Sequence, residues 1–354
     1  MKAEVTAPTT AGHVNPNTLN GGPGTPGIDL DPINQRGQPR QRRQRRCGRS
    51  RQRRWRQRLR GAIGDRRLSP PGCQPRNGRA IITFQYGTSI TLSTATATPL
   101  FGHAVTVTAA VASADPGAGT PTGSVAFSDR TSMLATVPLN NGQATFSTTK
   151  FQPGDHAITA TYSGDPVFTA STTGAPAIAT VGFSRPCITD HDGPLTVAAD
   201  QSLCIAPGGR QNGPVELRPG GAPALSGTEI NGPVSSDGAL AVTICHSTLD
   251  APVILTSTSG FMLLGDGEGV DCPGNTFRPP LTLDRNTGGL EVSSTTMSAP
   301  VTTNDNGGSG LLPEALVPEF EGNRVGAPLH CAGNLPTLRK SGNTLNEPHI
   351  GQCK

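Results

Sequence analysis

A proline tetrad recurs down the C-terminal half of the chain at near-constant spacing. It reads Asp-Gly-Pro-Leu at 192–195, Asn-Gly-Pro-Val at 212–215 and again at 231–234, and Asp-Ala-Pro-Val at 250–253. It continues as Arg-Pro-Pro-Leu at 278–281, Ser-Ala-Pro-Val at 298–301, Gly-Ala-Pro-Leu at 326–329 and Asn-Glu-Pro-His at 346–349. Successive prolines (Pro194, Pro214, Pro233, Pro252, Pro280, Pro300, Pro328, Pro348) stand 20, 19, 19, 28, 20, 28 and 20 residues apart. A fixed period near 20 marks a stacked repeat, in which each unit buries its apolar face only against its neighbours.

Aligned on the proline, each unit carries three short apolar stretches. The first follows the proline, as in Val215-Glu216-Leu217 and Leu281-Thr282-Leu283. The second follows a glycine, as in Leu240-Ala241-Val242, Phe261-Met262-Leu263 and Leu290-Glu291-Val292. The third precedes the next tetrad, as in Thr228-Glu229-Ile230 and Thr295-Thr296-Met297. Each is read as in-out-in, the strand period of two, with Gly, Asn and Pro at the corners between them. No segment carries the 3.6-residue period of a helix. The expected fold of 187–354 is a short parallel β-solenoid, β-helix-like, with coils ~4.8 Å apart. An antiparallel sandwich with proline-rich turns is the alternative. The two 28-residue steps are coils with insertions, near Gly265–Gly274 and Asn304–Pro318. These lie at different corners and need not build one site.

Residues 88–183 have another texture. Alternation runs through Thr88–Ala95, Ala104–Ala112, Gly123–Ser128, Ser132–Leu139, Gln143–Lys150, His156–Tyr162 and Ala177–Phe183. Turn clusters such as Asp115-Pro116-Gly117 and Asn140-Asn141-Gly142 separate them. Seven short strands at this density predict an immunoglobulin-like β-sandwich. Its inward set is Leu92, Val105, Val107, Val125, Phe127, Leu134, Phe146, Ile158 and Tyr162. The runs Gly119–Asp129, Thr136–Phe146 and Pro153–Asp165 resemble bacterial Ig-like repeat domains, a similarity covering about 85–183. That resemblance implies a stalk or adhesion module of a secreted or surface protein. The tetrad region resembles Gly-Pro-Val-repeat modules of actinobacterial secreted proteins.

Six of the eight cysteines lie in the repeat region: Cys187, Cys204, Cys245, Cys272, Cys331 and Cys353. An even count in a loop-rich β region predicts disulfides and an oxidising compartment. Cys245 and Cys272 precede their own prolines by seven and eight residues, one coil apart, so they should stack. Cys187–Cys204 and Cys331–Cys353 would likewise join neighbouring turns. A zinc site is the rival, but no Cys-x-x-Cys or His-x₃-His spacing occurs.

Residues 1–80 read as a disordered arm, Arg-rich over 36–67. Residues 1–79 hold 18 of the 29 Lys and Arg but only 4 of the 25 Asp and Glu, which leaves 80–354 with a formal charge of −10. Arg42, Arg43, Arg45, Arg46, Arg53, Arg54 and Trp55 would bind nucleic acid through phosphate contacts and base stacking. An exported body preceded by no apolar signal segment conflicts with that tail. A wrong start or shifted frame across 1–80 reconciles the two. No stretch is long enough to span a membrane.

Parallel solenoids often carry polysaccharide lyases and hydrolases, which need converging carboxylates. The acids in question are Asp190, Asp192, Asp266, Glu268, Asp271, Asp284, Glu291, Glu319 and Glu321, with Glu291 read as one ordinary exposed acid. Asp266, Glu268 and Asp271, with intervening glycines, also form a candidate calcium turn. No other cofactor is implied, and no nucleophile or metallopeptidase motif is present. The expectation is a non-catalytic extracellular or cell-surface structural or adhesion module. Its partners would be cell-wall or extracellular polysaccharide, or a host or surface protein. The alternatives are a carbohydrate-binding or polysaccharide-active β-helix protein, and nucleic-acid binding by the arginine run. Against sugar stacking, residues 186–354 contain no Trp or Tyr.

Overall fold

The computed structural model describes residues 2–6, 81–96, 98–267 and 271–354. Among the described residues, 2–6, 81–87 and 166–169 belong to one compact unit, and those of 88–165 and 170–354 to the other. In the first, Lys2–Thr6 pairs antiparallel with Ile81–Gln85. Tyr86 exchanges backbone hydrogen bonds with Val167 and Thr169, at 2.8 and 2.9 Å. The rest of the expected disordered arm, including the arginine run and Trp55, lies outside the described residues.

The second unit begins with a sandwich of two antiparallel sheets. One holds Thr88–Thr94, Val105–Ser113 and Gln143–Thr148 in that order. The other is ordered Ala177–Val181, Gly154–Tyr162, Ser124–Asp129 and Ser132–Pro138, with Ser171–Thr172 added to Gly154–Tyr162. Alternation dictates this. Along Val105–Ser113, Val105, Val107, Ala109 and Val111 are buried and the residues between them are not. Val125, Phe127, Ile158 and Tyr162 are fully buried, each contributing about 1.5–3 kcal/mol. Leu92, Leu134 and Phe146 are only half-buried, and Phe101 and Phe151 complete the apolar set.

The remainder is a parallel solenoid with three faces. The first face stacks the strands after each tetrad, from Leu195–Val197 through Val215–Leu217, Val234–Asp237, Val253–Thr256, Leu281–Asp284, Val301–Asn304 and Leu329–Ala332 to His349–Gly351. Register is kept through both long steps: Val253 pairs with Leu281, and Val301 with Leu329. The second face stacks the first half of Ser202–Gln211, then Ala222–Ser226, Val242–Cys245, Met262–Gly265, Leu290–Ser293 and Glu319–Glu321. The third stacks two-residue strands such as Thr248–Leu249, Thr276–Phe277 and Thr296–Met297. Inward Val, Leu, Ile, Met and Phe from the three faces make one continuous core. Among the described residues there is no α-helix.

Two devices hold the corners. After the first face, one residue per coil takes a left-handed conformation: Asp200, Gly220, Gly238, Ser257, Arg285, Asp305 and Gly333, with φ from 51° to 85°. Glycine adopts this freely, whereas side chains there cost about 1–2 kcal/mol, which coil stacking must offset. Behind the corners run buried asparagine ladders. Asn286 Nδ2 donates to Asn306 Oδ1 (2.8 Å), Asn306 Nδ2 to Asn334 Oδ1 (3.0 Å), and Asn334 Nδ2 to Gln352 Oε1 (3.0 Å). The same amides cap backbone groups that the turning chain leaves unpaired, as where Asn334 Nδ2 donates to Thr303 O. In the tetrads, coils approach so closely that a Cβ at Gly213 would stand 2.0 Å from Gly193 O.

Three disulfides tie the coils: Cys187–Cys204, Cys245–Cys272 and Cys331–Cys353, with Cα separations of 4.6, 4.9 and 5.3 Å. Each adds about 2–4 kcal/mol by restricting the unfolded chain.

Candidate functional site

The outer side of the solenoid's second face changes character from coil to coil. Its central outward column runs Cys204, Ala224, Thr243, Leu263, Glu291 and Glu319, each register-paired with the next. The early members are small or apolar because the sandwich lies on them. Thr243 Oγ1 donates to Gln152 Oε1 at 2.5 Å. Lys150 Nζ donates to Ser309 Oγ and Gly310 O (2.6 and 2.5 Å) and sits 5.2 Å from the centre of the Phe261 ring. Ser184 and Ser202 bond reciprocally where the sandwich runs into the first coil.

Phe261 and Leu263 therefore face outward, against the in-out-in expectation that put them inside. Met262 and Leu264 fill the core instead. Phe261 and Leu263 form a second apolar cluster with Cys245 and Cys272, and Leu311 packs against it. A Cβ at Gly267 would stand 3.3 Å from Leu311 Cδ2. The two insertions thus meet on one face although they leave the coil at different corners. Distance along a coil perimeter does not predict where long loops fold back.

Beyond this cluster lies a groove of about 330 Å³ bordered by Asp266, Glu291, Ser293, Glu319, Glu321 and Ser341. Glu291 and Glu319 are each only 4% exposed, so Glu291 is not the ordinary exposed acid expected of a middle strand position. It points away from the core, but the outer face is itself covered there. Arg339 holds Glu319 at 2.8 Å and Glu321 at 2.7 Å. Ser293 Oγ donates to Asp266 O. Burial pushes the Lys150 ammonium below its ordinary value, while Glu291 and Glu319 pull it back up. Glu291 and Glu319, one coil apart, thus lie between the charges of Lys150 and Arg339, with Glu321 sharing Arg339.

The six cysteines are paired as the coil register predicted. Asp266 and Asp271 are exposed, and Glu268 lies outside the described residues. No group of three or more His, Cys, Asp or Glu gathers as a metal site among the described residues. Asp190 accepts from the Arg210 N–H and Asp192 from Asn212 Nδ2, both coil-to-coil bonds. Asp284 pairs with Arg285 at 3.1 Å. Lys150, Gln152 and Thr243 were missed, and no local pattern marks them.

A second polar centre lies inside the sandwich. His156 Nδ1 is 2.6 Å from Asp129 Oδ2, its Nε2 is 2.7 Å from Gln152 O, and its ring stacks on Phe151 at 4.1 Å. Burial alone would raise the Asp129 carboxyl. The hydrogen bond and charge of His156, the Ala157 N–H and Arg130 outweigh it and hold the group below its ordinary 3.8. A depressed carboxyl contributes stability that is complete above the unfolded-state value and lost as pH falls through the folded one. The stability gap between wild type and Asp129→Asn should therefore be widest near neutrality and close below about pH 4. Urea titrations from pH 7 to 3 showing a constant gap would contradict this.

These features define an all-β protein in which an antiparallel sandwich is packed onto a disulfide-stapled parallel solenoid. The family model for the bacterial Ig-like domain (group 3) matches residues 83–182. No curated protein and no solved structure matches the chain. A bacterial Ig-like domain fits a non-catalytic surface module in general, and the disulfides are compatible with an extracellular protein. Among the described residues no helix is long and apolar enough to cross a membrane.

Proposed function

We propose that the chain is a secreted or cell-surface structural module in which sandwich and solenoid act as one stiff arm for display or adhesion. The observation that carries this reading is the junction itself. Gln152 and Lys150 reach 91 and 159 residues along the chain to bond Thr243 and Ser309, so the two folds are clamped rather than strung on a linker. Stiffness without a hinge suits presentation of a surface at a distance. Polysaccharide or a surface protein is the partner class this reading implies.

A second reading, polysaccharide cleavage, draws on Glu291 and Glu319, stacked one coil apart beside a groove. Glycosidases need two carboxylates about 5–10 Å apart with different proton affinities. Here both are engaged by cations, which favours the structural reading. Incubation with uronate and glucan polymers is expected to release neither unsaturated uronates nor new reducing ends. Product that vanishes in Glu319→Gln would overturn the non-catalytic assignment.

A further inference from the structure

The sandwich is not closed on one side. Ser132–Pro138 and Gln143–Thr148 are the outer strands of their respective sheets, and between them opens a cleft of about 280 Å³. Leu134, Phe146 and Phe151 line it from the sandwich, and Leu312 and Pro313 from the solenoid's second insertion. The Phe127–Phe146 stack, at 5.8 Å, marks where the packed core begins. The volume falls at the small end of small-molecule pockets, which are mostly apolar with a few placed polar groups.

The charged groups around it are not equally available. The Asp129 carboxylate is taken by His156 and the Ala157 N–H. The Lys150 ammonium is taken by Ser309 and Gly310. Arg130 is exposed, donates one N–H to Asp155 O at 2.7 Å, and makes no ion pair within 4 Å among the described residues. It sits in the turn between Ser124–Asp129 and Ser132–Pro138, at φ 49°, and lines the cleft. A guanidinium beside an apolar slot matches one chemistry: an apolar body ending in a planar anion that the guanidinium can bind bidentately.

We propose that this cleft binds a small amphipathic monoanion of the medium-chain carboxylate class, tail between the two outer strands and head on Arg130. The site is separate from the outer-face groove and goes beyond the display reading, which stands whether or not the cleft is filled.

The test is calorimetric titration of the full chain, disulfides intact, with decanoate below its micellar concentration, and with decanol as the neutral analogue. Saturable 1:1 binding of decanoate is expected. Arg130→Gln, an exposed change, should weaken it about fivefold or more, in line with the loss of one charge-assisted hydrogen-bond pair. Leu134→Trp, which fills the slot, should abolish it. Absence of saturable decanoate binding, binding unchanged in Arg130→Gln, or decanol binding as tightly as decanoate would each overturn the proposal.

Discussion

Asn306→Ala is expected to cost about 3–5 kcal/mol, far more than its surface neighbours. Asn306 is 1% exposed and belongs to three coils at once. Its Oδ1 accepts from the Asn286 N–H at 3.1 Å and from Asn286 Nδ2 at 2.8 Å. Its Nδ2 donates to Leu283 O and Thr303 Oγ1, each at 3.0 Å. Alanine would strand a buried backbone N–H and a buried carbonyl, each worth about 1–3 kcal/mol unpaired. Asn343 makes the same kind of contacts, to Phe320 O and the Asn323 N–H, but at a half-buried position near the last coil. Water can replace part of what it supplies, so Asn343→Ala should cost roughly 1 kcal/mol. Guanidinium unfolding of both variants under non-oxidising, non-reducing conditions gives the comparison. Equal losses would mean the ladder is not the device that holds the corners.

Phe261→Ala should cost about 3–5 kcal/mol, the range for deleting a fully buried aromatic ring. Its ring is 1% exposed although it lies outside the solenoid core, because Leu311 and the Cys245–Cys272 bridge cluster with it and Lys150 sits over it. Ile254, also apolar and also facing outward, is 46% exposed, and Ile254→Ala should change stability by less than about 0.5 kcal/mol. A loss in Phe261→Ala as small as that in Ile254→Ala would mean that the sandwich does not seal this face.

The contrast between these two residues shows what was legible in the chain and what was not. The solenoid could be read because its tetrads repeat and because each inward position recurs one coil later, so Val253, Leu281 and Val301 announce one column. The disulfides followed from the same register. The sandwich followed from alternation in segments such as Val105–Ser113. Alternation fails where both sides of a strand are covered. The run Phe261-Met262-Leu263-Leu264 is apolar throughout, and its period cannot say which pair faces the core. Its unbroken apolarity was the available signal that something else packs on the outside. Glu291 was misread for the same reason, since its cover comes from distant segments. Nor do the left-handed corners at Ser257, Arg285 and Asp305 show in the sequence, because glycine is favoured there but stacking lets other residues in.

Peptide mapping of the native protein, unreduced and thiol-blocked, from extracellular, surface and lysate fractions tests the proposed disulfide-stapled surface arm most directly. The predicted result is cross-linked peptides for Cys187–Cys204, Cys245–Cys272 and Cys331–Cys353 in the extracellular or surface fraction. Protein confined to the lysate with those six thiols free would contradict it.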